Sequence, residues 1–410
     1  MTDAAPRPAA VAFILVTIVL DVLAFGMVLP VLPKLIESFQ HGNTALAAET
    51  YGVFATAWAL MQLVFSPVLG MLSDRFGRRR VLLISLTGLG LDYLLMALAP
   101  TLSWLFVGRV ISGITAATYS TAAAYIADVT PAEKRAQSFG YVGAAWGLGF
   151  IAGPAFGGLL GAYDPRLPFW AAAGLTLANT LYGWWVVPES LPPERRTRFS
   201  WRRANPIGGL TLLRTRSGLT GLVGVNLLHT LAHYSLPSVF VLYAGYRYHW
   251  NADRVGYTLA FVGVCTALVQ GVLVGPAVRW LGERRAVLLG LAGATAAYAL
   301  YGLAPSGPWF LAAIPFGSLA GLYSAGVQAL TTARVGSGEQ GQLQGLNSSV
   351  IGLVGLAGPG LFTVTFAVAI GAGSAARLPG APFLVAALLT GAALLLAARV
   401  ARPLSTSQSS

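Results

Sequence analysis

One feature recurs from end to end of this chain: a mainly apolar run long enough to cross a lipid bilayer, followed by a short polar connection. Twelve such runs fall at about 11–33, 51–72, 81–99, 102–125, 139–162, 167–187, 218–243, 253–277, 286–304, 308–332, 342–369 and 380–401. A spanning helix needs roughly 20 mainly apolar residues, because each residue advances the helix about 1.5 Å through a hydrocarbon core about 30 Å thick. Charged residues make up 10% of the 410 and hydrophobic ones 56%, with a mean hydropathy of +0.69. Soluble domains carry roughly 25% charge, so an ordinary water-facing surface cannot be built from this composition. The expectation is an all-α integral membrane protein of twelve transmembrane helices. The first run carries Asp21, Pro30 and Pro33 and lacks a small-residue cleavage site, so it reads as a retained helix and not a signal peptide.

The basic balance, a formal net charge of +12, would suit nucleic acid if it were clustered on one soluble face. It is instead sorted by connection. Twenty of the 26 Lys and Arg residues lie at the termini or in the even-numbered connections, including Arg75, Arg78, Arg79 and Arg80 in the second and seven arginines between Arg195 and Arg216 in the sixth. Cytoplasmic loops hold the excess of Lys and Arg in membrane proteins, so both termini are expected on the cytoplasmic side and nucleic acid is not an expected partner. The lone Cys265 lies within a run, which excludes an intramolecular disulfide.

The chain reads as two halves. Residues 1–187 and 218–402 each hold six runs; residues 188–217 form a basic, Pro- and Arg-rich linker, and 403–410 a flexible tail. Shifting the sequence on itself by 205 residues, without gaps, pairs Gly77 with Gly282, Arg79–Arg80 with Arg284–Arg285, Tyr93 with Tyr298, Pro100 with Pro305, Trp104 with Trp309 and Gly153–Pro154 with Gly358–Pro359. Two six-helix bundles of the same orientation, in pseudo-two-fold relation about an axis along the membrane normal, characterise one large transporter architecture, with the cargo site near the midplane in a central cavity between the halves.

The second connection reads Gly70-Met-Leu-Ser-Asp74-Arg75-Phe-Gly77-Arg78-Arg79. It resembles, at every fixed position, the loop signature of the major facilitator superfamily, whose role there is to steady the outward-open state. Gly77 permits a short turn, and Asp74 can face a helix N-terminus or an arginine. The repeat copy keeps its glycines but has Arg279 in place of Asp74. Asp128, at the end of the fourth run, reads as an interfacial cap or loop anchor. The fifth run places Gly140, Gly149, Gly153, Pro154, Gly157 and Gly158 in the pattern Gly-x8-Gly-x3-Gly-Pro-x2-Gly-Gly. That resembles the motif of drug–proton antiporters in the same superfamily. Its glycines make a smooth face for close helix packing, and its proline frees a carbonyl and bends the helix.

Charges inside spans cost about 2.5–3.5 kcal/mol each on insertion scales, so they face cavities and have work to do. The first half has Asp21, Asp92 and Arg109. An apolar wall favours the neutral form of a carboxylate, which suits reversible protonation, and Arg109 can hold such a group charged until a proton or cargo displaces it. In the seventh run Asn226, His229, Thr230 and His233 share one helical face, as i, i+3, i+4 and i+7 do. They are read as cavity-lining, Asn226 being the repeat counterpart of Asp21. The His pair brings no further metal ligands with it, so no metal site is expected.

Most of the chain, and the first 190 residues above all, is similar to the tetracycline–proton antiporters among bacterial drug exporters. The resemblance implies export of a drug-like molecule against inward proton flow. It implies proton-coupling roles for Asp21, Asp92 and Arg109, a gating role for the second-connection motif, and a cavity position for Gln62. Thr266 and Ala294 stand where that group typically carries a His and an Asp, and the second half is read as having no acid in its helices. The function expected is a proton-driven exporter of small amphipathic compounds in the bacterial inner membrane, working as a monomer without a cofactor and without enzymatic activity. A metabolite uniporter or symporter on the same fold is the alternative; an intramembrane enzyme or transport-dead sensor is a remote one.

Overall fold

The computed structural model describes residues 8–116, 118–131, 134–197, 212–215, 219–335, 340–371 and 378–401. Most of the basic linker and the tail expected at 403–410 lie outside the described residues.

The helices are α1 (Pro8–Val28), α2 (Leu32–Phe39), α3 (Thr44–Phe76), α4 (Arg78–Leu98), α5 (Leu102–Thr115), α6 (Thr118–Val129), α7 (Arg135–Tyr163), α8 (Leu167–Val186), α9 (Leu212–Thr215), α10 (Thr220–His233), α11 (Ser235–Tyr248), α12 (Ala252–Leu268), α13 (Val274–Leu303), α14 (Gly307–Ser318), α15 (Ala320–Thr332), α16 (Gln340–Ile370) and α17 (Ala381–Val400). A five-residue π-turn, Val269–Leu273, joins α12 to α13.

Among the described residues nine helical stretches are long and apolar enough to cross a membrane. One of them, Ala252–Leu303, is 52 residues long, and Gly282 interrupts it at φ 77°, ψ 162°, so it holds two of the expected runs. Two more lie on α8 and on α10–α11, which are not among the nine. All twelve expected runs therefore fall on helix, and the chain is a multi-pass membrane protein. Large apolar side chains such as Leu388 and Ile84 stay exposed, as lipid-facing residues do.

The repeat extends to the backbone. Gly77, at φ 103°, ψ 148°, breaks α3 from α4 as Gly282 breaks α13. Ala99 ends α4 at φ −55°, ψ 118°, and Ala304 ends α13 at φ −54°, ψ 117°. Thr101 and Ser306 then open α5 and α14 in nearly the same extended conformation. Val28 and His233, also 205 apart, are the last residues of α1 and α10. Past Val28 the chain makes i→i−3 bonds, Leu29 to Gly26 and Val31 to Val28, because Pro30 and Pro33 cannot donate to a continuing helix.

Packing divides the chain into two compact units. The first comprises Met1–Gly42, Ala57–Asn205 and Trp250–Ala260; the second comprises Asn43–Thr56, Pro206–His249 and Phe261–Ser410. The stretches 43–56 and 250–260, counterparts in the 205-residue register, thus each belong with the opposite sequence half. In the first unit the core is Ile14, Ile18 and Val22 of α1 against Leu82 and Leu86 of α4 and Tyr125 and Ile126 of α6. In the second, Leu222 and Val225 of α10 meet Val287 and Leu291 of α13 and Ala393 and Ala397 of α17.

Candidate functional site

In the first unit the membrane-embedded charges gather about Tyr93. Its fully buried hydroxyl has no hydrogen-bond partner and lies within electrostatic reach of Asp21, Asp92 and Arg109. Asp92 is 0% exposed, on the face of α4 turned to Gly108 of α5. A methyl group at Gly108 would stand 2.7 Å from the Asp92 Oδ1 atom, so the glycine makes room for the carboxylate. Neither Asp92 oxygen meets hydrogen-bond geometry with a partner, although Arg109 and Ser112 both stand near it. Arg109 is 8% exposed; it donates to Ser112 Oγ at 2.8 Å and lies over the Trp58 ring, 6.0 Å from its centroid. Asp21 also keeps a buried, unpartnered Oδ1. Buried polar atoms without partners are rare and costly in native proteins. Asp92 and Asp21 thus bring unsatisfied carboxylate oxygens to the surroundings of Tyr93. Phe25, one turn beyond Asp21, stacks on Trp58 with centroids 6.2 Å apart and meets Phe150 edge-on, which walls this region with rings.

The motif of the second connection folds into a network at the α3–α4 turn. Arg78 pairs with Asp74 one turn back, donates from Nε to Asp128 Oδ2 at 3.1 Å, and reaches Ser73 Oγ at 3.3 Å. Asp128 also accepts from the Ser190 hydroxyl at 3.2 Å, which ties it to the segment after α8. The N-terminus of α4 is held by Glu189, a residue the motif does not contain. Its Oε1 accepts from the backbone N–H groups of Arg78 at 2.8 Å, Arg79 at 3.4 Å, and Ser190 and Leu191 at 3.1 Å. Asp74 therefore faces an arginine, and the helix N-terminus is met by Glu189. Arg79 donates to the Trp184 carbonyl, while Arg75 lies over the Phe76 ring. No neighbouring atom crowds Gly70. In the repeat copy Arg284, the counterpart of Arg79, likewise donates to a backbone carbonyl of the last helix of its half, that of Ala398 at 2.9 Å.

The glycine motif packs α7 against α1. A methyl group at Gly153 would lie 2.7 Å from Gly26 Cα, and one at Gly149 would lie 2.6 Å from Val22 Cγ1; Gly157 abuts the Met27 backbone. Gly158 turns the other way, onto Ala252 and Gly256 of α12, which belong to this same unit. Gly140 faces open space and takes no part in the close packing. Pro154 stands inside α7 next to Gly26.

In the second unit a cavity of about 570 Å³ opens among α10, α12, α13, α14, α15 and α16. Asn226, His229, Thr230 and His233 all line it, as their spacing predicts, and so do Thr266 and Ala294. Asn226 Oδ1 accepts from the Tyr323 hydroxyl at 3.1 Å and from Thr230 at 3.5 Å. The His229 ring sits 4.0 Å, centroid to centroid, from that of Tyr323, and its Nδ1 is buried without a partner. Gln62 does not line this cavity; it is half-buried on α3 in the unit that holds the acids. The reading of an acid-free second half also needs correcting. Asp253 lies in the first turn of α12 with Oδ1 buried and unpartnered, and Glu283 lies in α13 beside the Gly282 break. Asp253 belongs to the first compact unit, since the start of α12 packs there. Sequence reading missed Glu189, Tyr323 and the cavity-lining Gln270 and Asn347. Glu189 and Tyr323 become significant only through partners distant in the chain, whereas Asn347 stands three residues from the cavity-lining Gln344, a spacing the sequence reading did not use.

The profile of the Major Facilitator Superfamily matches residues 14–359. The tetracycline resistance protein, class C, of Escherichia coli is 38% identical over 380 residues, which cover 93% of this chain and 94% of that protein. The class G protein of Vibrio anguillarum is 38% identical over 86% of this chain and 89% of its own. Among solved structures, the nucleoside transporter NupG superposes with a TM-score of 0.73 at 13% identity, covering 96% of this chain and 98% of that one. With a profile match over most of its length and relatives at this identity, the chain belongs to the Major Facilitator Superfamily.

Proposed function

We propose that the protein exports small amphipathic drug-like compounds from the bacterial cytoplasm, as its tetracycline-resistance relatives suggest, in exchange for protons entering by alternating access. The observation that carries this reading is the buried Asp92 carboxylate, without a partner at either oxygen, together with the buried, unpartnered Oδ1 of Asp21, grouped with Arg109 about Tyr93 inside the membrane spans. Each has a carboxylate oxygen without a hydrogen-bond partner that can take a proton, and Arg109 offers a charge to Asp92 when the proton leaves. The placement of Lys and Arg supports an inner-membrane protein with cytoplasmic termini. Nothing in the proposal calls for a cofactor or a second copy of the chain: the proton gradient is the energy source, and protons, cargo and bilayer are the partners. Reconstituted into proteoliposomes, the protein should move tetracycline faster under an imposed pH gradient, with proton movement in the opposite direction. Asp21→Asn should reduce gradient-driven uptake at least ten-fold. Equal flux with and without the gradient would sink the antiport reading.

A further inference from the structure

Building on the exporter reading, we propose that protons leave Asp21 and Asp92 for the cytoplasm through the interior of the first unit, along a file of buried polar side chains on α4, α6 and α8 that begins at Tyr93 and ends at Tyr125. Tyr93 puts its unpartnered hydroxyl among the two acids and Arg109. Towards the arginine-rich end of the unit, the hydroxyls of Thr176, Thr118, Thr121 and Ser85 and the side-chain oxygen of Asn179 are each buried without a hydrogen-bond partner. None of these five residues is more than 4% exposed. Packing sets their order. A methyl group at Gly90 of α4 would lie 2.7 Å from Leu177 of α8, and one at Gly183 of α8 would lie 3.0 Å from Leu83. The two helices therefore run antiparallel, with Thr176 about level with Asp92, then Asn179, then Ser85. Asn179 donates from Nδ2 to the Thr17 carbonyl at 2.9 Å, one turn before Asp21 on α1, which leaves its oxygen for the file. On α6, Thr118, Thr121, Tyr125 and Asp128 fall at i, i+3, i+7 and i+10, hence on one face. The Tyr125 hydroxyl donates to the Pro188 carbonyl at 2.9 Å, beside Glu189 and one turn from the Asp128 that holds Arg78. The file thus ends at the network of the α3–α4 turn.

Buried polar atoms left unpaired are costly, and water is their usual partner inside proteins. A hydroxyl or a water accepts a proton on its oxygen while passing its own onward, so a proton crosses such a file and leaves no charge behind. The repeat shows that the scaffold does not need these polar groups. On α13 the counterparts of Ser85 and Asp92 are Gly290 and Ala297, and Gly290 abuts the backbone of Tyr323. With Pro168–Phe169 of α8 aligned on Pro382–Phe383 of α17, Thr176 and Asn179 meet Thr390 and Ala393. Thr390 turns its hydroxyl back onto the Ala386 carbonyl of its own helix at 3.0 Å, which Thr176 does not do. At these positions the second half closes a seam that the first half, with its two acids, keeps polar.

Full-length protein in proteoliposomes tests the route with tetracycline as the probe. Two rates are compared: uptake driven by a pH gradient, and exchange of labelled for unlabelled tetracycline without one, which moves cargo both ways and releases no proton. The triple variant Ser85→Ala, Thr121→Val, Thr176→Val removes three hydroxyls at nearly constant volume. It should lose gradient-driven uptake at least ten-fold while exchange stays within two-fold of the wild type. Thr121→Ser with Thr176→Ser keeps both hydroxyls and should keep uptake within two-fold, although each side chain is a methyl smaller. Thr390→Val, at the counterpart of Thr176, should also stay within two-fold. The route is overturned if the triple variant takes up tetracycline as fast as the wild type, if uptake and exchange fall together, or if the serine pair is as impaired as the triple variant. Wild-type uptake indifferent to the gradient would defeat the exporter reading and the route with it. A gradient-driven wild type matched by the triple variant defeats the route alone.

Discussion

Glu189 makes one side-chain oxygen the acceptor for four backbone N–H groups, two of which open α4. The first N–H groups of any helix have no partner within the helix, and a carboxylate there also meets the positive end of the helix dipole. Its place depends on Gly77: φ is 103°, and a side chain there would strike the Glu189 carboxylate. Truncating Glu189 to Ala should cost about 1–2 kcal/mol by leaving those donors unpaired, whereas Gln should retain about half of that. Thermal unfolding in detergent measures both, and equal melting temperatures for the two variants would show that the contact is incidental. The loop signature was legible in the sequence because its residues are consecutive. Glu189 was not, because it stands 111 residues from Arg78 and only folding brings it back to the turn.

At the scale of the helix, α7 shows what its glycines are for. Gly149, Gly153 and Gly157 let α1 approach so closely that any side chain would overlap it, while Gly158 admits α12 on another face. Small residues allow such backbone approach in membranes, where packing replaces the hydrophobic drive between helices. Gly153→Leu should therefore force α1 and α7 apart and reduce transport at least ten-fold, with lower thermal stability. Gly140→Leu, in the same motif but facing open space, should cost less than about 0.5 kcal/mol, the usual range for surface substitutions. Comparable loss from both would mean that the motif acts through something other than this packing. The cavity stripe on α10 obeys the helical period and was legible for that reason. The cavity-lining polar residues of α15 (Ser324, Gln328 and Thr331) and of α16 (Gln344 and Asn347) fall at the same helical spacing, although the sequence reading singled out only the stripe that holds the histidines.

For the whole molecule, the 205-residue register runs deeper than residue identity, since paired positions share backbone angles at the turns. It also covers the stretches 43–56 and 250–260, each assigned to the unit built mainly from the other sequence half. A fragment 1–205 lacks the Ala252 and Gly256 surface against which Gly158 packs, and a fragment 206–410 lacks Gly52, which abuts Thr363. Each fragment expressed alone should be degraded or aggregate, and co-expression should restore protease resistance to both. A fragment as resistant alone as in the pair would contradict this assignment.

By itself the sequence determined that the chain lives in a membrane, that its pattern recurs after 205 residues, and that Asp21, Asp92 and Arg109 are its expensive residues. Those properties follow from composition, periodicity and repetition, which are local or additive along the chain. Only the tertiary structure decided that the acids group about Tyr93, that Gln62 does not line the cavity of the histidine stripe, that Asp253 belongs with the first unit, and that Glu189 holds the turn. Each of these depends on which side chain meets which across a fold. Hydrophobic patterning specifies that an element is buried, but only close packing and hydrogen-bond geometry specify its neighbours.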